Sequence, residues 1–155
     1  MEILNQKIDD RYAMYNGDCV EVLRGITDNS IHYSIFSPPF ASLYTYSNSD
    51  RDMGNSASDN EFYEHFKFLI SELYRVTMPG RLLSFHCMDL PMMKSRDGVI
   101  GLKDFPGELI RMFTEVFTIH FATINTYFHQ KYYQALPNLQ YTLLLLIQIS
   151  CLSII

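Results

Sequence analysis

A chain of 155 residues, 48% of them hydrophobic, is long enough for one domain with a real core. Its formal net charge of −5 excludes a general electrostatic attraction to nucleic acid, so contact with a polyanion would need a local basic patch or a partner surface. Three cysteines, Cys19, Cys87 and Cys151, are too few and too scattered for a disulfide framework or a zinc site, and a reduced, cytoplasmic setting is expected. The opening MEILNQKIDDRYAMY carries acids and no long apolar run, so it does not read as a secretory signal.

The stretch YAMYNGDCVEVLRGI reads as a short strand, a turn at Asn16-Gly17-Asp18 and a short helix. Asp18 can cap that helix, and Val22, Leu23 and Ile26 supply its apolar face. Thr27 to Ser30 is a turn cluster. In IHYSIF, residues 31–36, Ile31, Tyr33 and Ile35 alternate with His32 and Ser34, which predicts a strand. Ala41 to Ser58 are mostly Ser, Asn, Asp, Gly and Tyr, a long loop of the kind that is functional or mobile. Ser58 followed by Glu61 fits a capping box, and Phe62, Phe66, Leu69, Ile70 and Leu73 recur at helical spacing. VTMPG ends that helix, RLLSFHC (81–87) reads as the next strand, and SRDGVIGLKD as another loop. Pro106 opens a last helix with Leu109, Ile110 and Phe113 on its face. The alternation of strands and helices predicts an α/β fold with a mostly parallel sheet.

After Glu115 the character changes. Residues 116–155 hold one charge, Lys131, with no glycine and no acid. The apolar end, Thr142 to Ile155, is shorter than the roughly 20 residues of a membrane helix, so a membrane partner is not expected. Three readings stay open for this tail: a buried terminal strand–helix pair, a weak tail anchor, or out-of-frame or truncated coding sequence.

The chemistry concentrates at Ser37-Pro38-Pro39-Phe40, where the 31–36 strand ends. In open α/β sheets ligands gather outside the carboxyl ends of strands. Two prolines in succession make a stiff turn with outward carbonyls and no N–H groups. The Pro38 carbonyl and the Ser37 oxygen can accept both hydrogens of an exocyclic amine. That frees the nitrogen lone pair to attack an electrophilic methyl group, while Phe40 stacks on the base. Such a base must be flipped out of a duplex to be reached. A Pro-Pro after a strand is also common as a plain loop, and both readings stand on these residues alone.

The wider context adds a resemblance. YNGDCVEVLRGITDNSIHYSIFSPPF, EFYEHFKFLISELYRVTMPGRLLSFHC and FPGELIRMFTE occur in the order found in the amino-methylating DNA methyltransferases. This is the N6-adenine and N4-cytosine family, which uses S-adenosyl-L-methionine and includes phage-encoded and restriction–modification members. The chain resembles that family over about residues 11–115. The resemblance implies a Rossmann-like S-adenosylmethionine-dependent methyltransferase fold, incomplete, with a mostly parallel sheet flanked by helices. It implies that Ser37, Pro38, Pro39 and Phe40 are the catalytic tetrad, and that DNA is the partner. A serine in the first position leans toward cytosine N4. Asp18 falls in the segment that lines the cofactor site, with a helix cap as the simpler reading. The family's glycine-containing cofactor motif, D-P-F-x-G-S-G-T, is absent. The expected organisation is therefore a catalytic part at 1–115 and an atypical hydrophobic tail at 116–155. A missing central strand beside the tetrad strand would leave an exposed sheet edge.

Other residues read more simply. The five histidines show no zinc spacing with the cysteines, and no metal is expected. Cys87 ends a strand pattern and reads as a small buried residue. Tyr44 and Tyr46 can cover a flipped base or simply sit on a surface loop. Arg51, Lys94, Arg96 and Lys103 can touch phosphates or be solvated charge.

Overall fold

The computed structural model describes residues 3–43, 48, 52–117, 119–127 and 142–149. The chain divides into two compact units, residues 1–32 with 41–78, and residues 33–40 with 79–155.

In the first unit, β1 (Ile3–Ile8) pairs antiparallel with β2 (Ala13–Gly17). Helix α1 (Cys19–Arg24) follows, and its Val20 is buried. Two short 3-10 turns, Ala41–Leu43 and Met53–Asn55, precede α2 (Asp59–Val76). The capping box forms in a shifted version. Ser58 Oγ accepts from the Glu61 N–H at 3.2 Å, while Glu61 Oε2 accepts from the Ala57 N–H at 2.6 Å. The apolar stripe of α2 is the unit's core: Phe62, Phe66, Leu69, Ile70, Leu73 and Val76 are all buried, and the Phe62 and Phe66 rings stack at 5.4 Å.

Arg75 explains why the α2 terminus carries an arginine. Its guanidinium donates to the carbonyls of Leu23 and Ile26 at 2.8 Å each, and to the carboxylates of Asp28 and Glu72. One planar fork thus satisfies the carbonyls at the end of α1 and fixes the following turn. Main-chain bonds from Asn29 to the Arg75 carbonyl and from Ser30 to the Val76 carbonyl complete the tie.

In the second unit the core is aromatic. Strands β3 (Ile31–Phe36) and β4 (Thr77–Cys87) begin in the first unit and run into the second. The sheet order is β3-β4-β8-β7, with β7 at Ile119–Tyr127 and β8 at Thr142–Ile149. Strand β8 is antiparallel to both neighbours, and Leu82 to Cys87 of β4 lie opposite Gln148 to Leu143. Helix α4 (Phe105–Val116) is capped by Asp104, which accepts from the Gly107 N–H at 2.8 Å. Its Phe113 stacks on Phe85 at 5.4 Å.

Several elements differ from the sequence expectation. Strand β1 was not expected, and β4 starts at Thr77 rather than Arg81, running through Gly80 at φ +75°. The 95–104 loop and the residues before it hold β5 (Leu90–Met92), a helical turn α3 (Lys94–Asp97) and β6 (Gly101–Lys103). β8 enters the sheet antiparallel to β4 and β7, and the β1–β2 and β5–β6 pairs are antiparallel too, so these four pairs do not supply the mostly parallel sheet that was expected. The described part of the 116–155 segment beyond α4 is strand, not helix. Among the described residues no helix is long and apolar enough to cross a membrane. Strand β3 lies at one edge of the sheet formed by the described residues, with β7 at the other, and Tyr33 and Ile35 on it are 47% and 66% exposed.

Candidate functional site

The site is framed by two aromatic side chains that pin the end of β3. Phe36, half-buried, lies 5.9 Å from Phe85 between ring centroids. Phe85 is fully buried and stacks in turn on Phe113. On the opposite face of the sheet the Tyr33 hydroxyl bonds the buried Ser84 hydroxyl at 2.8 Å. Opposite parities are thus held on both faces, which fixes the register in which β3 delivers Ser37.

Ser37 is exposed, Pro38 is buried, and Pro39 and Phe40 are half-buried. The Ser37 hydroxyl donates to the His86 main-chain carbonyl at 3.0 Å. The tetrad therefore has a buried proline step and a solvent-facing oxygen anchored to β4. Immediately after it, Ala41 takes φ +47° and is fully buried, turning the chain sharply as the tetrad ends.

Asp18 acts as a helix cap: its Oδ1 accepts from the N–H groups of Val20 at 2.8 Å and Glu21 at 3.2 Å. Arg96 and Lys103 are engaged locally, both pairing with Asp97, and Arg96 also donates to the Pro91 carbonyl. These contacts, with the Met93 N–H, hold the Asp97 carboxyl at about 2. Tyr44, Tyr46 and Arg51 lie outside the described residues. Among the described residues there is no group of metal-ligating side chains.

The carboxyl end of β4 carries Asp89, which sequence reasoning passed over, and Cys87, which it read as a small buried residue and which is fully buried. Burial, then Asp104, raises the Asp89 carboxyl. Burial, then Asp89 and Asp104, pushes the Cys87 thiol up to about 12. An acid two residues beyond a strand end was the available signal for Asp89. The contact of Ser37 with His86 had none, since the two are 49 positions apart.

The thiol environment has a measurable consequence. At pH 8 a shift from 9 to about 12 lowers the thiolate fraction roughly 1,000-fold, in addition to steric occlusion. In a Cys19→Ser, Cys151→Ser background, iodoacetamide at pH 8 is expected to leave the native protein unmodified by mass spectrometry and to label it fully in denaturant. Rapid native labelling would show that Cys87 is not a packed core residue.

The element order and the packing of α4 on the sheet define an α/β fold. No family model matches the sequence, and no curated protein matches it significantly. Solved structures do match. A candidate DNA modification methylase of Thermus thermophilus, solved with S-adenosyl-L-methionine, aligns with a TM-score of 0.60 and 18% identity over 87% of this chain and 54% of that one. Its selenomethionine form aligns at 0.61 and 16% over 87% and 51%. The cytosine-N4-specific PvuII DNA methyltransferase aligns at 0.58 and 20% over 88% and 48%. At these identities the likeness establishes the fold. The chain spans about half the length of the structures it matches.

A nucleoside cofactor needs a turn in which backbone approaches the ligand closely, and glycine provides it. Of the glycines at positive φ, Gly80 and Gly98, neither has an atom within 4 Å of where a Cβ would stand. At Gly107 that position is filled by Asp104, the cap of its own helix. None of these three is a cradle for S-adenosyl-L-methionine, and the Asp18 carboxylate is directed to capping α1.

Proposed function

We propose that this chain carries the base-binding part of an S-adenosyl-L-methionine-dependent DNA methyltransferase. It would act on the exocyclic amino group of cytosine (N4) or adenine (N6), in the cytoplasm. The observation that carries this reading is the exposed Ser37 hydroxyl at the end of β3, beside buried Pro38 and anchored to β4. The methyltransferase fold of the matching structures supports it, and so does the one solved with S-adenosyl-L-methionine.

The work of these residues is orientation and preorganised electrostatics. Ser37 and the Pro38 carbonyl accept the two amine hydrogens, which draws the nitrogen out of conjugation with the ring. Phe40 supports the flipped base by stacking. Proline rigidity means that little reorganisation is needed when the base enters. The serine in the first position, and the cytosine-N4 specificity of the PvuII enzyme, favour cytosine. Among the described residues Gly80, Gly98 and Gly107 offer no cofactor cradle, and the second reading is a non-catalytic remnant that binds DNA or a partner weakly.

Calorimetric titration with S-adenosyl-L-methionine separates the two readings, and transfer of labelled methyl to DNA in a single turnover tests the first. Heat of binding with formation of N4-methylcytosine or N6-methyladenine follows from the first reading, and neither from the second. Ser37→Ala is expected to slow transfer about 100-fold, the scale for removing one preorganised hydrogen bond. Phe40→Ala is expected to weaken base engagement. Unchanged single-turnover rates in both variants would overturn the site assignment, and absence of cofactor binding would overturn the active-enzyme reading.

A further inference from the structure

We propose that the main-chain carbonyl of His86 positions the Ser37 hydroxyl as an acceptor-only group, so that the site takes a nucleobase bearing NH2 and rejects the same ring bearing a carbonyl. The inference rests on the base-binding reading above and deepens it.

A serine hydroxyl has one proton and two lone pairs, and an exposed serine ordinarily rotates to donate or accept as its partner requires. Ser37 instead has a fixed main-chain partner for its proton. Its oxygen lies 3.0 Å from the His86 carbonyl oxygen. A carbonyl cannot donate, so the single proton of Ser37 must point at it. The carbonyl itself is held in place. His86 lies inside β4, opposite Leu144 of β8. Its neighbour Phe85 is locked between Phe36 and Phe113. What remains of Ser37 on the solvent side is a pair of lone pairs on a neutral oxygen.

Such an oxygen behaves toward a ligand as a carbonyl would. The amino groups of cytosine and adenine donate to it. The carbonyl oxygens of uracil, thymine and hypoxanthine confront it with a second acceptor and no shared proton. Turning the serine proton outward to meet them would leave the His86 carbonyl without that bond. The difference of one hydrogen bond made against one lost amounts to about tenfold in affinity.

The chemistry of the alternatives gives a sharp test. Asparagine can donate its NH2 to the His86 carbonyl while presenting its own carbonyl outward, so Ser37→Asn should preserve the arrangement. Aspartate, when ionised, can donate to nothing and sets a carboxylate against the carbonyl. Alanine supplies neither half.

Binding of 2′-deoxycytidine against 2′-deoxyuridine, and of 2′-deoxyadenosine against 2′-deoxyinosine, is measured by chemical-shift titration, with thermal melting of each variant at pH 7. Wild type and Ser37→Asn are expected to prefer the amino member of at least one pair by about tenfold. Ser37→Ala should lose that preference, and Ser37→Asp should melt lowest of the four. An amino preference that persists in Ser37→Ala overturns the positioning role and the acceptor role of Ser37, while nucleoside binding itself still supports a base site. Equal melting of the Asn and Asp variants also overturns it. Failure of every nucleoside to bind overturns both.

Discussion

Replacing Phe85 by alanine should lower the unfolding free energy by about 4 kcal/mol, near the upper end for a buried phenylalanine. The ring is fully buried and makes close aromatic contacts on two sides, with Phe36 at 5.9 Å and Phe113 at 5.4 Å. Alanine removes the apolar area and leaves a void bounded by two large rings, one on a strand and one on α4. Neither can collapse into it without moving its backbone, so the cavity cost adds to the transfer cost. Phe85→Leu refills most of the volume and should cost less than about 1.5 kcal/mol. Chemical denaturation read by circular dichroism gives both values. A loss below about 1 kcal/mol for Phe85→Ala would mean that the Phe36–Phe85–Phe113 stack is not the centre of this unit. The change also reaches the site, because Phe85 precedes His86 and Phe36 precedes Ser37. The bond between those two neighbours depends on the rings being seated.

The parts of the fold that were legible in the sequence are those where local signals agree. The α2 stripe was readable because Ser58, Glu61 and five apolar residues at helical spacing point to one face, and all five are buried. Strand β3 was readable from strict alternation over Ile31 to Ile35, and α4 from Pro106 near its start with Leu109, Ile110 and Phe113 at helical spacing. The missed elements lack such agreement. In β1, Asn5, Gln6 and Lys7 break the apolar alternation, and the described residues of the strand are exposed. Strands β5 and β6 are three residues each, below the length at which a period can be counted. In β4 the Pro79-Gly80 pair reads as a stop, yet Gly80 absorbs the bend at φ +75° and the strand continues. At the site, the tetrad was visible as a word. Its anchor was not, since the partner of Ser37 is a main-chain oxygen whose identity no side chain announces.

The second large effect is expected at the residue that follows Phe40. Ala41→Val should destabilise the protein by about 3 kcal/mol, from two costs that fall on one side chain. The first is conformational. Ala41 sits at φ +47°, where a β-branched side chain is a genuine outlier and alanine only an uncommon occupant. The second is spatial. Ala41 is fully buried, in a 3-10 turn lying against α2 and against the Met53–Asn55 turn. Two added methyl groups must displace packed neighbours or force the backbone out of its left-handed turn. Ala41→Gly separates the two costs. It relieves the backbone, favourable by about 1 kcal/mol at a left-handed position, and removes one buried methyl, unfavourable by a similar amount. Near-neutral stability is therefore expected for glycine and a large loss for valine. If valine is tolerated within about 0.5 kcal/mol, the sharp turn at Ala41 is not part of the folded state, and the chain leaves Phe40 along a different path.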